Sequence, residues 1–103
     1  MAKVVWTDSA ISDLNNIGDY ISKDSIKYAE ITIERLFNAT DILEKYPDAG
    51  KITVEFENES IRELIRGSYR IVYRKMSQER IDILTVHNSA RMLGNTYDFD
   101  EDD

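Results

Sequence analysis

Cysteine is absent from the 103 residues, which excludes disulfides, thiolate zinc sites and a cysteine nucleophile. One proline and four glycines leave no room for a flexible linker or a low-complexity region. Nor is there a Gly-rich phosphate loop, since Gly67 stands isolated in a turn. The chain has a single histidine, His87, with no HExxH and no carboxylate cluster at ligand spacing, so no metal and no cofactor is expected. No apolar run approaches the roughly 20 residues that span a bilayer. Ala2-Lys3-Val4-Val5-Trp6 reads as a short strand rather than a signal peptide. The expectation is a soluble cytoplasmic domain without a membrane partner.

Positive charge is scarce overall, with 13 basic against 20 acidic residues and a net charge of -7. Its placement is uneven. Residues 1–59 carry 6 basic and 12 acidic residues, whereas residues 60–97 carry 7 basic and 3 acidic. The last six residues, Asp98 to Asp103, hold 5 acids and no base. Affinity for nucleic acid rests on basic residues that displace counterions, so direct sequence-specific nucleic-acid binding is not expected. A local basic stripe in the second half remains able to hold an anionic partner. The chain divides into one domain over residues 1–97 and an acidic, disordered tail over 98–103. That tail is expected to lie transiently over the Arg-rich strand, where salt would screen it.

Hydrophobic periodicity gives the elements. Val4-Val5-Trp6 is a strand, and Thr7 or Asp8 caps the helix that follows. Ala10, Ile11, Leu14, Ile17 and Ile21 form its apolar stripe, with Gly18 tolerated if another backbone packs close. Asp24 or Ser25 caps a second, longer helix carrying Ile26, Ala29, Ile33, Leu36, Phe37, Thr40, Leu43 and Tyr46. Pro47 ends it and Asp48-Ala49-Gly50 turns the chain. The period then switches to two. Strands are predicted over 52–57, 61–65, 69–76 and 80–86, joined by short turns into an antiparallel meander. The order β-α-α-β-β-β-β makes an α+β fold: an N-terminal strand, an antiparallel helical hairpin, and a meander covered on one face by the helices.

Alternation puts Tyr69, Ile71, Tyr73 and Lys75 on one face and Arg70, Val72, Arg74 and Met76 on the other. Arg62, Leu64 and Arg66 share a face of the preceding strand, and pairing across the turn is expected to gather arginines from both strands on one surface. Tyr69 and Tyr73 are assigned to packing. Arg62, Arg70, Arg74 and Arg91 are the candidates for contact with an anionic partner, as charge-assisted hydrogen-bond donors. Their alternative role is to bridge acids within the sheet. For catalysis the residues supply charge stabilisers but no evident nucleophile and base. One metal-free chemistry stays open: cleavage of RNA through its 2′-hydroxyl, with parts supplied by Arg62, Arg70, Arg91 and His87.

Taken in register, several segments resemble the RelE/ParE superfamily of bacterial type II toxins. They are Val4-Val5-Trp6-Thr7, Ala10…Asp13-Leu14…Ile17…Tyr20-Ile21, Leu43…Pro47…Gly50, Arg62-Glu63-Leu64, Tyr69-Arg70-Ile71-Val72-Tyr73 and Ile83-Leu84-Thr85-Val86-His87…Arg91. The resemblance covers residues 3 to about 93. It implies a small toxin neutralised by a cognate antitoxin protein in a hetero-oligomer. RelE-like members are ribosome-dependent mRNA endoribonucleases, and Arg70 matches the arginine of their Tyr-Arg-x-x-Tyr strand. The positions where that branch carries lysines fall on Ile61 and Glu63, and Ser89 and Asn95 stand in place of a catalytic arginine and tyrosine. A related ribonuclease branch ends in His-Tyr, whereas His87 is followed by Asn88.

ParE-like members instead poison DNA gyrase by binding it, with no enzymatic site. The Trp-Thr start, the long hairpin, Arg62-Glu63-Leu64, the His87-x-x-x-Arg91 ending and the acidity resemble this branch more. The expectation is therefore a non-enzymatic gyrase inhibitor. The alternatives are a RelE-like endoribonuclease using Arg70, His87 and Arg91, and a toxin-like fold that is harmless and survives as a binding protein.

Overall fold

The computed structural model describes residues 1–89. Arg91, Asn95 and the acidic tail lie outside the described residues. The elements are β1 (Lys3–Trp6), α1 (Asp8–Ser22), α2 (Ile26–Ala39), α3 (Ile42–Lys45), β2 (Lys51–Ile52), β3 (Ile61–Arg66), β4 (Tyr69–Lys75) and β5 (Arg80–Asn88). The strands form one sheet in the order β1-β5-β4-β3-β2. Strands β2 to β5 pair antiparallel as a meander. β1 returns to the far edge and pairs parallel with β5, Lys3 opposite Arg80 and Trp6 opposite Ile83. The α+β reading holds.

The two long helices start on side-chain caps: Thr7 accepts from Ala10 N and Ser25 from Tyr28 N. Each oxygen satisfies one of the N–H groups that a first turn leaves without a partner. α1 buries Ala10, Leu14 and Gly18, and α2 buries Ala29, Thr32 and Leu36. A Cβ on Gly18 would stand 2.3 Å from Ile33 Cδ1, so the small residue admits a side chain of α2 rather than a second backbone. Leu36, Leu43, Leu64, Ile71, Tyr73, Ile81, Ile83 and Val86 close the core between helices and sheet. Each such aliphatic burial contributes about 1.5–3 kcal/mol. Trp6 seals the edge, stacked on Phe37 at 5.2 Å between ring centroids.

Three expectations need correction. The second helix is not continuous to Tyr46. It breaks at Thr40 and Asp41, where the N–H groups of Asp41, Leu43 and Glu44 bond carbonyls three residues back. Thr40 drives the break: its hydroxyl donates to the Phe37 carbonyl at 2.9 Å and accepts the Trp6 indole N–H at 3.3 Å. Ile26, Phe37 and Tyr46, placed on the apolar stripe, are exposed.

The strand predicted over 52–57 is only Lys51–Ile52. Thr53 N still reaches the Ile61 carbonyl at 3.3 Å, but Asn58 Oδ1 then accepts from Ser60 N and Ser60 Oγ and closes a turn instead of a ladder. The intervening chain leans over β3, because Glu55 reaches Arg70 on β4.

The arginines do not gather on one surface. A two-residue reversal at Gly67 and Ser68 sets Arg66 opposite Tyr69 and Arg62 opposite Tyr73, on the helix-covered side. Arg70 and Arg74 fall opposite Ile65 and Ile61, on the far side. Gly67 sits at φ 61°, the left-handed conformation that such a tight hairpin requires.

Candidate functional site

The far face of the sheet is organised by strand register. One row is Ile65–Arg70–His87, and beyond it lies Ile61–Arg74–Asp82. Glu63 stands between them on β3, two residues from Ile65 and therefore on the same face. Arg70 is the centre. Its Nε donates to Glu63 Oε2 in a very short contact, while Nη1 lies 2.5 Å from Glu55 Oε2 and Nη2 donates to Glu55 Oε1 at 2.7 Å. The guanidinium is thus held on its flank by one carboxylate and end-on, through both Nη atoms, by another. The Arg70 side chain is 12% exposed and that of Glu63 9%, whereas Glu55 is 51% exposed. Lys51 Nζ approaches the other Glu63 oxygen at 3.9 Å.

Protonation follows from this arrangement. The bond from Arg70 holds the Glu55 carboxyl below its ordinary range against partial burial, and the two glutamates raise Arg70 further above neutrality. His87 is buried one strand away. Burial, then the Arg70 cation, lower its pKa below the ordinary 6.5, with Asp13 and Glu55 pulling weakly the other way. The imidazole is neutral at pH 7. Among the described residues no group of three or more His, Asp or Glu side chains is placed to hold a metal ion.

Arg62, the candidate on the opposite face, staples a corner. Its Nη1 donates to the Gly50 carbonyl at 2.9 Å and its Nε lies 3.5 Å from Asp48 Oδ1, which also accepts from Lys75 Nζ at 2.7 Å. Arg62 and Lys75 hold the Asp48 carboxyl below its usual range, the Lys75 hydrogen bond being the larger cause. Tyr73 completes the corner: its hydroxyl accepts from Gly50 N at 2.9 Å and donates to the Pro47 carbonyl at 2.8 Å. Tyr73 is wholly buried and Tyr69 packs at the core margin, as their assignment to packing requires. Arg74 is half-buried and stands opposite Asp82 on β5, whose carboxylate accepts from Arg80 Nε at 2.9 Å.

The site thus brings together Arg70 and His87, separates Arg62 from them, and adds two residues that were not candidates, Glu55 and Glu63. Glu63 carried a signal: it occupies a position where the ribonuclease branch has a lysine. Asp13 was also missed as a support. Its Oδ2 accepts from the Thr85 hydroxyl in a very short bond and from Val86 N at 3.3 Å. It thereby satisfies the edge of β5 just beyond the last residue paired with β1.

Comparison with known proteins fits this architecture. A chain of the chromosomal ParDE toxin–antitoxin system from P. aeruginosa superposes with a TM-score of 0.69 at 22% identity, covering 85% of this chain and 96% of that one. A chain of the toxin–antitoxin complex RelBE2 from Mycobacterium tuberculosis gives 0.55 at 23% identity, covering 84% and 96%. At these identities the structures attest the fold. Toxin RelE2 of Caulobacter vibrioides is 32% identical over 92 residues, 89% of this chain and 100% of the relative. The family profile of the ParE toxin of type II toxin–antitoxin systems, parDE, matches residues 4–93. The chain belongs to the ParE toxin family, within the RelE/ParE superfamily of type II toxins.

Proposed function

We propose that this toxin acts as a ParE-like inhibitor of DNA gyrase, by binding and without an enzymatic site of its own, and that a cognate antitoxin protein neutralises it. The observation that supports the binding mode is the state of Arg70. A nuclease needs cations aimed at the position where phosphate charge develops. Here the guanidinium is occupied on two sides by Glu55 and Glu63. Arg62, the other arginine of the RNA-cleavage reading among the described residues, is spent on the Asp48–Gly50 corner. The acidic chain, at -7, also lacks the field that draws a protein onto ribosomal RNA. The helices leave apolar side chains for an antitoxin to cover, Tyr20 on α1, Ile26, Tyr28 and Phe37 on α2 and Ile42 on α3. The antitoxin would lay an apolar helix or strand along the hairpin and the open sheet.

One observation favours the ribonuclease reading as the second choice: Arg70 and His87 are direct partners across β4 and β5, a cation beside the only imidazole. Purified toxin titrated into a gyrase supercoiling reaction, run beside an mRNA-cleavage assay on translating ribosomes, separates the two. Loss of supercoiling with trapped gyrase–DNA complexes supports the proposal. Unaffected supercoiling at high toxin concentration, with codon-positioned cuts that disappear in Arg70→Ala, overturns it. Overexpression that harms nothing in the absence of antitoxin would point instead to a harmless binding protein.

A further inference from the structure

The two carboxylates on Arg70 are mounted differently. Glu63 belongs to β3, is nearly buried, and cannot leave without unpairing the strand. Glu55 belongs to the loop between β2 and β3, which is pinned at its ends by Thr53 N to the Ile61 carbonyl and by Ile61 N to the Asn58 carbonyl. Between those pins Val54 is 90% exposed, and Glu57 sits at φ 23°, a conformation that non-glycine residues rarely adopt. Phe56 in this stretch is half-buried, but the Glu55 side chain is 51% exposed, and an exposed side chain changes rotamer without the loop itself opening. The Glu55 carboxylate is seated on the Nη end of a guanidinium whose Nε is held by Glu63.

From this asymmetry we infer that Glu55 is a displaceable latch, and that the position it fills on Arg70 is a receptor for a carboxylate side chain of a protein partner. The geometry specifies the ligand. Both Nη atoms face outward and meet two oxygens of one planar carboxylate, the fork-on-fork arrangement that arginine forms best. Replacing one carboxylate by another conserves charge at the site. Ile65, the residue paired with Arg70, is 42% exposed and supplies an apolar contact beside the fork. The fitting partner segment is thus acidic, with an apolar residue next to the acid.

This goes beyond the gyrase reading and is tested without gyrase, so either can fail alone. The full-length toxin and its Glu55→Gln variant are titrated against fluorescein-labelled hexaglutamate and, separately, hexauridylate at low salt. If the latch is closed about nine-tenths of the time, removing it tightens hexaglutamate binding about tenfold. Arg70→Lys in the Glu55→Gln background keeps the charge but loses the fork, and should cancel that gain. Thermal melts of each variant confirm folding. Equal hexaglutamate affinity with and without Glu55, a gain that survives Arg70→Lys, or a preference of Glu55→Gln for hexauridylate would each overturn the inference.

Discussion

Removing the Arg70 cation should cost stability before it costs anything else, and the structure sets the size. In Arg70→Gln the Glu63 carboxylate, 9% exposed, keeps only Lys51 at 3.9 Å, whose own side chain is mostly in water. Breaking a buried ion pair from one side costs about 3–5 kcal/mol. Lys51 and the nearby solvent path through Glu55 relieve part of this, leaving about 2–3 kcal/mol. For a domain of this size that is a fall in Tm of roughly 10–20 °C. Glu63→Gln in the same chain removes the stranded charge, so the double variant should be more stable than Arg70→Gln alone. The coupling expected from a double-mutant cycle is about 1.5–2.5 kcal/mol. Urea denaturation at pH 7, read as midpoint and slope, measures all four corners. A loss below about 0.5 kcal/mol in Arg70→Gln, or additive single effects, would refute the account of the pair. The outcome governs how toxicity data are read: an inactive Arg70 variant reports target contact only if Glu63→Gln, which restores the fold, does not restore activity.

Tyr73→Phe strips the Gly50 N–H and the Pro47 carbonyl of their shared partner and should cost about 2 kcal/mol, seen as an earlier urea midpoint with unchanged slope. Asp13→Ala leaves the Thr85 hydroxyl and Val86 N–H without their acceptor and should cost about 1–3 kcal/mol. Asp13→Asn, which keeps an acceptor oxygen, should cost less, and equal losses would deny the hydrogen-bonding role. His87 resists protonation in the fold, so the unfolded chain takes up its proton first as pH falls. The His87 contribution is therefore complete above 6.5 and declines as pH drops toward the lowered folded value. His87→Gln should flatten Tm against pH in that window, and a wild-type Tm that rises on acidification relative to His87→Gln would contradict the sign. Glu55 adds a second loss of the same direction, complete above 4.5 and lost as pH falls through its lowered folded pKa, and Glu55→Gln should remove it.

Periodicity was enough to read the element order, the helix caps and the core strands, because each is fixed by contacts close in sequence. Thr7, Ser25 and the alternation of Tyr69 to Lys75 are local signals, and they held. The errors came from side chains that act at a distance. Thr40 looked like one more position on a helical stripe until Trp6, 34 residues earlier, gave its hydroxyl a second partner. The alternation over 52–57 is a genuine strand pattern, but Asn58 and Ser60 close a turn and Glu55 is drawn to Arg70. The arginine faces were legible and were misjudged. A two-residue reversal after Arg66 pairs even with odd positions, so Arg62 and Arg70 must point to opposite sides. The same arithmetic places Glu63 on Arg70's face. Glu55 had no such signal, since nothing local says where a loop carboxylate will land.

The parallel pairing of β1 with β5 has a temporal consequence. Among the described residues β1 finds its one ladder partner in β5, Lys3 waiting for Arg80. Until that late segment exists, Trp6 has Phe37 and Thr40 to pack on, but the β1 backbone has no strand to pair with. A polypeptide interrupted before residue 80 therefore lacks the strand that seats β1, and the sheet is completed only when β5 has been made.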